Sequence, residues 1–389
     1  MATVPVTPAV VAWAVEESGY SLDEIAEAVG TQANAVAAWI AGKAQPSVTQ
    51  ARKLAQKLRR PLALFLWSTP PTDDSPSVAF RAPVVDEMRD LNPVERRYIR
   101  QAARIQRIVR WLIGELDLRG PTLPQADVKS DPKLAGKAMR DYLDISLEAQ
   151  TAWRSEYVAL KAWRERCEER GIMVFLLPLG EDSCRGISLA DAVAPAVIIN
   201  THWNVRARIF TLFHEIGHVL TQTTSACAAS RRHSIKGDVV ERWCEQFAAA
   251  TLMPWDAIER KLDDVRAPQF INDLSIPGAI AQEFSVSLQA STLRLINERR
   301  ARWTLWDKIP KDDNAKRKGG KAPDEPRTTP VVRLHEIGRR PTAVLLTGMS
   351  RGVIDRSQVA STLRVGDNDL SDIERRMHGG GAVDVDVDE

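Results

Sequence analysis

Apolar positions recur at three- and four-residue steps through the first part of the chain. They predict five short helices over residues 10–17, 22–29, 33–41, 48–58 and 62–66. Ser21 and Ser47 stand where N-caps belong, and Gly30 and Gly42 where helices stop. Periodicity then ends at 69–83, where Pro70, Pro71, Pro76 and Pro83 mark a linker. Asn92-Pro93 followed by Glu95 reads as a cap, a first-turn proline and a capping-box carboxylate, so a long helix starts there. Along it Tyr98, Ala102, Ile105, Val109, Leu112 and Leu116 form an apolar seam, while Arg96, Arg100, Arg104, Arg107 and Arg110 take other positions. Under three heptads is short for a coiled coil, so the seam predicts packing onto the next domain, with a homodimer as the alternative.

A further helix is predicted over 149–170, ended by Gly171, and IMVFLLPL after it reads as a buried strand. Residues 186–200, ending in PAVIIN, predict more strand structure, and helices dominate 205–303. The run KDDNAKRKGGKAPDEPRTTP is charged and rich in breakers, as a linker is, and a small unit over 331–377 and a disordered tail follow.

Composition adds limits. The chain has 389 residues, 44% hydrophobic and 27% charged, enough for two or three packed domains. Lys and Arg total 53 against 51 for Asp and Glu, so any case for nucleic acid must be local. No apolar run approaches the ~20 residues that span a bilayer, and no basic region precedes an apolar run at the start, so a cytoplasmic protein without a membrane partner is expected. Cys167, Cys184, Cys227 and Cys244 include no Cys-x-x-Cys pair and read as reduced, mostly buried thiols.

The chemistry lies in Arg208-IFTLFHEIGHVLTQ. His214 and His218 are four residues apart in helical apolar spacing, so both imidazoles share a face. Glu215 lies beside them and can reach a metal-bound water without ligating the metal. Three protein ligands leave a fourth zinc position for that water, whose pKa the metal lowers, and a carboxylate base completes the nucleophile. The third ligand is sought in VVERWCEQFAAATLMP, where Glu241 and Glu245 are four residues apart; spacing does not separate them. Asp238 and His233 are further candidates, His233 also as a donor to the transition-state oxyanion. Two imidazoles and a carboxylate suit Zn²⁺ better than Mn²⁺.

At these residues the chain resembles the bacterial zinc-peptidase family called ImmA/IrrE, over about 149–299. The resemblance implies that Glu241 is the third zinc ligand; the family's usual Asn falls on Glu245 and its usual Ala on Cys244. It also implies a protein substrate, often a helix-turn-helix repressor. Residues 21–58 resemble a phage-repressor-type helix-turn-helix, with Ala26, Gly30, Val36 and Trp39 at the packing positions. Gln32 and Asn34 are then the candidates for base contact, and Lys43, Arg52, Lys53, Lys57, Arg59 and Arg60 for phosphates. A protein-docking role is the alternative. The cadence of 280–300 also suggests a helix-turn-helix, but closing the peptidase fold is the preferred reading.

The expected fold is multidomain and mainly α with a small β-sheet: an all-α helix-turn-helix domain, then an α+β zincin-like metallopeptidase domain. The boundaries are 1–71 for the first domain, 72–148 for linker and long helix, 149–303 for the peptidase, 304–330 for a linker, 331–378 for a C-terminal unit and 379–389 for the tail. The expected function is a regulatory zinc endopeptidase with a DNA- or protein-binding module. The alternative is a DNA-binding regulator with a non-catalytic metal site.

Overall fold

The computed structural model describes residues 3–71, 91–181, 183–222, 226–227, 239–310 and 328–378. The stretch 72–90, most of the 310–330 run and the tail after 378 therefore lie outside the described residues. Among those described, eighteen α-helices accompany four short strands, a mainly α protein with a small sheet. The chain divides into two compact units, 1–101 and 102–389.

The first unit holds α1 (Pro8–Ser18), α2 (Leu22–Val29), α3 (Ala33–Ile40), α4 (Val48–Leu58) and a 3-10 turn at Leu62–Leu66. Ser21 and Ser47 close capping boxes with Glu24 and Gln50. Each such cap stabilises its helix by about 1 kcal/mol. Gly30 ends α2 in the left-handed conformation, φ 78°, which costs a residue without a Cβ nothing. Val10, Val11, Ile25, Val36, Trp39, Leu54 and Phe65 are the centre of the core. Helix α5 (Pro93–Glu115) begins here, with Asn92 accepting from the Val94 and Glu95 N–H groups and Glu95 accepting from Asn92 N–H.

In the second unit the α5 seam is buried: Ala102, Ile105, Val109, Leu112 and Leu116 are each 5% exposed or less. Gln106 donates to the Leu189 and Ala194 carbonyls, so this face is covered within the same chain and does not carry the homodimer alternative. Next comes α6 (Pro132–Leu143), capped by Asp131. Its sequence hides an amphipathic pattern, because Gly136 and buried Arg140 lie on the inner face while Leu134 is 68% exposed. The single helix expected over 149–170 is two, α7 (Leu147–Thr151) and α8 (Glu156–Glu169). Ser146 and Ser155 cap them separately, and buried Gln150 ties α7 to the Leu252 carbonyl.

The sheet comprises β1 (Met173–Leu177), β2 (Gly186–Leu189), β3 (Ala196–Asn200) and β4 (Ala226–Cys227), in the order β1-β3-β2-β4. β1 and β3 are parallel; β2 runs antiparallel to β3 and to β4. All residues of β1, β2 and β3 are buried, and α9 (Val205–Leu220) lies against β2 and β3. Across α9 packs α10 (Val239–Leu252), and α6 packs on α10 in turn. Then follow α11 (Trp255–Asp264), α12 (Ser275–Glu283), α13 (Leu288–Asn297) and α14 (Trp303–Trp306). Ile280, Phe284, Val286 and Leu295 of the α12–α13 pair sit in the same core as α9 and α10.

Helices α15 (Thr329–Ile337), α16 (Arg339–Ser350), α17 (Arg356–Leu363) and α18 (Asp367–His378) belong to the second unit. α15 lies against edge strand β1, covering a row of backbone groups that would otherwise invite pairing. Arg164 of α8 donates to the His335 and Val174 carbonyls and to Glu168, and Glu168 accepts the Arg339 N–H at 2.7 Å. In the sequence Arg164 and Glu168 look like a solvated pair one turn apart; packing buries them.

Candidate metal centre

Helix α9 is enclosed on nearly every side: Ile209, Leu212, Phe213 and Ile216 face core, and His214, Glu215 and His218 are 8%, 0% and 2% exposed. Asn204 starts it by accepting from Ala207 N–H, and Arg208 holds its first turn to the Thr201 and Trp203 carbonyls. The four-residue step puts both imidazoles on the face toward α10. That helix is anchored by Trp243, whose indole N–H donates to the Ser130 carbonyl at 2.8 Å.

Glu241, in the first turn of α10, meets both histidines. His214 Nε2 lies 3.2 Å from Glu241 Oε2, His218 Nε2 3.2 Å from Oε1, and the two Nε2 atoms 3.2 Å apart. Around a tetrahedral zinc with bonds of about 2.0–2.1 Å, neighbouring donors stand about 3.3 Å apart. The observed spacings fit that edge, and the three donors are the group among the described residues able to hold a metal ion. Glu245 is not part of it, although it sits one turn along α10. Spacing in the sequence left these two carboxylates equivalent; the crossing of α10 over α9 separates them. His233 and Asp238 lie outside the described residues.

Electrostatics follow from the contacts. Burial disfavours the Glu241 charge, but hydrogen bonds from His214 and His218, and their charges, hold its carboxyl well below the usual range. Burial works to lower the His214 pKa, and is outweighed by the hydrogen bond to Glu241 and by the charges of Glu215, Glu241 and Glu245, so the net shift is upward. Glu245 is raised, chiefly by burial.

Two glycines that no spacing argument singles out shape this centre. A Cβ at Gly217 would lie 3.0 Å from the Cys244 sulfur, so α9 and α10 approach closely there. A Cβ at Gly186 of β2 would lie 2.8 Å from Glu215 Oε1.

In the first unit Gln32 and Asn34 are exposed at the start of α3, and Lys43, Arg52, Lys53 and Arg59 are exposed too. Lys57 and Arg60 instead rest on the Tyr20 and Trp13 rings, at 3.9 and 4.6 Å from their centroids.

Comparison with known families agrees with this geometry. Residues 167–295 match the model described as IrrE N-terminal-like domain, Peptidase M78. The second unit carries an IrrE N-terminal-like domain. Residues 11–65, from α1 to the 3-10 turn, match the model described as Helix-turn-helix. No curated protein matches the chain. All three donors of the centre, Glu215 and both glycines fall within the IrrE-like domain; α5, α6 and the helices after 328 lie outside the matched stretch. Among the described residues no helix is long and apolar enough to cross a membrane.

Proposed function

We propose that the chain is a regulatory zinc-dependent endopeptidase that cleaves a partner protein, such as a transcriptional repressor. Its helix-turn-helix brings it to DNA or to a DNA-bound partner. The observation that carries this reading is the convergence of His214, His218 and Glu241 beside a fully buried Glu215.

His214, His218 and Glu241 would hold the ion. When bound, zinc supplies Lewis acidity and a water of lowered pKa. Glu215 follows His214 in the helix, so its carboxylate is directed beside the donors and not among them. There it accepts a proton from the attacking water and returns it to the leaving amine nitrogen as the peptide C–N bond breaks. Burial keeps competing solvent away from that carboxylate.

The test is incubation with the product of the neighbouring gene, with and without zinc, followed by a search for a discrete cut. Glu215→Gln should keep zinc and fold while cleavage falls roughly 10²–10⁴-fold. Cleavage at the wild-type rate would sink the peptidase reading in favour of a DNA-binding regulator with a non-catalytic metal site. Loss of zinc in the same variant would make Glu215 a ligand.

A further inference from the structure

We propose that Gly186 is a positioning residue for Glu215, the bare floor on which the carboxylate stands; this rests on the peptidase reading above. Gly186 opens β2 and pairs with Ile199 of β3 and Cys227 of β4, so its backbone is held on both edges. It is not among the glycines with positive φ. Conformation therefore permits any residue here, and contact alone requires glycine. A Cβ would lie 2.5 Å from Thr211 Cγ2, 2.8 Å from Glu215 Cγ and 2.8 Å from Glu215 Oε1, closer than real Cβ atoms come.

Thr211 and Glu215 are one turn apart on α9, so both side chains descend onto this point of β2. Helix and strand are each fixed by packing, and β-branched Thr211 is stiff at χ1, whereas Glu215 has further rotatable bonds through which to turn aside. The side chain that yields to an added methyl is then Glu215 itself, and its carboxylate leaves the position beside the metal donors. A displacement on the order of 1 Å can cost about a hundredfold in rate. The position is thus set from the sheet side, by a residue outside the three metal donors.

The experiment compares cobalt(II)-loaded wild type, Thr211→Ser, Glu215→Gln and the double variant Gly186→Ala/Thr211→Ser. Thr211→Ser removes the Cγ2 that makes the closest contact, leaving the conflict with Glu215. All four should bind one cobalt ion per chain. The pH midpoint of the visible spectrum should coincide for wild type and Thr211→Ser, and should move in the double variant most of the way to that of Glu215→Gln. A double variant that titrates with Thr211→Ser overturns the proposal. Coincident midpoints for wild type and Glu215→Gln instead overturn the general-base reading on which it rests. If the double variant is unstable, adding Glu215→Ala, which removes both the Cγ and the carboxylate oxygen that meet the methyl, should restore its melting temperature; failure to restore it also overturns the proposal.

Discussion

Gly217 and Cys244 meet closely across α9 and α10: a Cβ at Gly217 would lie 3.0 Å from the Cys244 sulfur and 3.2 Å from its Cα. This contact lies close in sequence to donors on both helices. His218 follows Gly217, and Glu241 lies three residues before Cys244. With Gly217→Ala, Cys244 must give by a few tenths of an ångström; its Cα is among the crowded atoms, so α10 should shift and lengthen the reach from Glu241 to both imidazoles. Overpacking of this kind costs about 1–3 kcal/mol. Zinc affinity should fall roughly 10–100-fold, the range seen when support for a ligand is disturbed. A competition titration with a chelator measures it, and Gly217→Ala/Cys244→Ala should recover part of the loss.

Removing a donor should act differently from moving one. His218→Ala leaves two donors and should abolish stoichiometric zinc. Glu241→Gln keeps the shape and one oxygen donor but loses the charge, so zinc should bind more weakly. Metal content after dialysis distinguishes the cases; wild-type content in both variants would exclude the assignment.

Acid should act on metal binding before it acts on the fold. The His214 pKa is raised above its ordinary 6.5, so protons compete for that nitrogen from a pH above 6.5 downward. Zinc affinity should weaken as pH falls, by about tenfold per unit for each proton displaced. The metal-free protein should show the opposite preference. The raised His214 contributes stability fully below 6.5 and loses it as pH rises through its folded value. The lowered Glu241 contributes above 4.5 and loses it as pH falls through its folded value. Their pair therefore supports the metal-free fold best between 4.5 and 6.5, and Glu241→Gln should flatten that maximum in a series of melting curves.

If the first unit contacts DNA, its exposed cations should govern the salt response. In gel shifts at two salt concentrations, replacing Lys43, Arg52 and Lys53 by alanine should weaken binding and reduce the salt slope by about one per lost phosphate contact. Gln32→Ala and Asn34→Ala should instead change preference among sequences. A triple variant that binds as the wild type does would favour a protein-docking module.

Helices α2, α4 and α5 could be read directly because each carries its own start. Ser21 with Glu24, Ser47 with Gln50 and Asn92 with Glu95 are short-range bonds written into neighbouring positions. The same holds for His214, Glu215 and His218, whose common face follows from helical period alone. Where an element's inner face is not apolar, the pattern fails: α6 turns Gly136 and Arg140 inward, and Arg164 and Glu168 are buried beneath α15 and α16.

Sequence by itself thus determined the local things about this protein: the capped starts of α2, α4 and α5, the shared face of the two histidines and the carboxylate beside them. Spacing left Glu241 and Glu245 equivalent, and only the resemblance pointed to Glu241. Tertiary structure is what brings Glu241 to both imidazoles, because a periodicity fixes which residues share a face but not where a second helix crosses it. It alone assigned work to Gly186 and Gly217. A glycine has no side chain to announce its purpose, and what matters at these two positions is an atom that is missing where another chain segment passes.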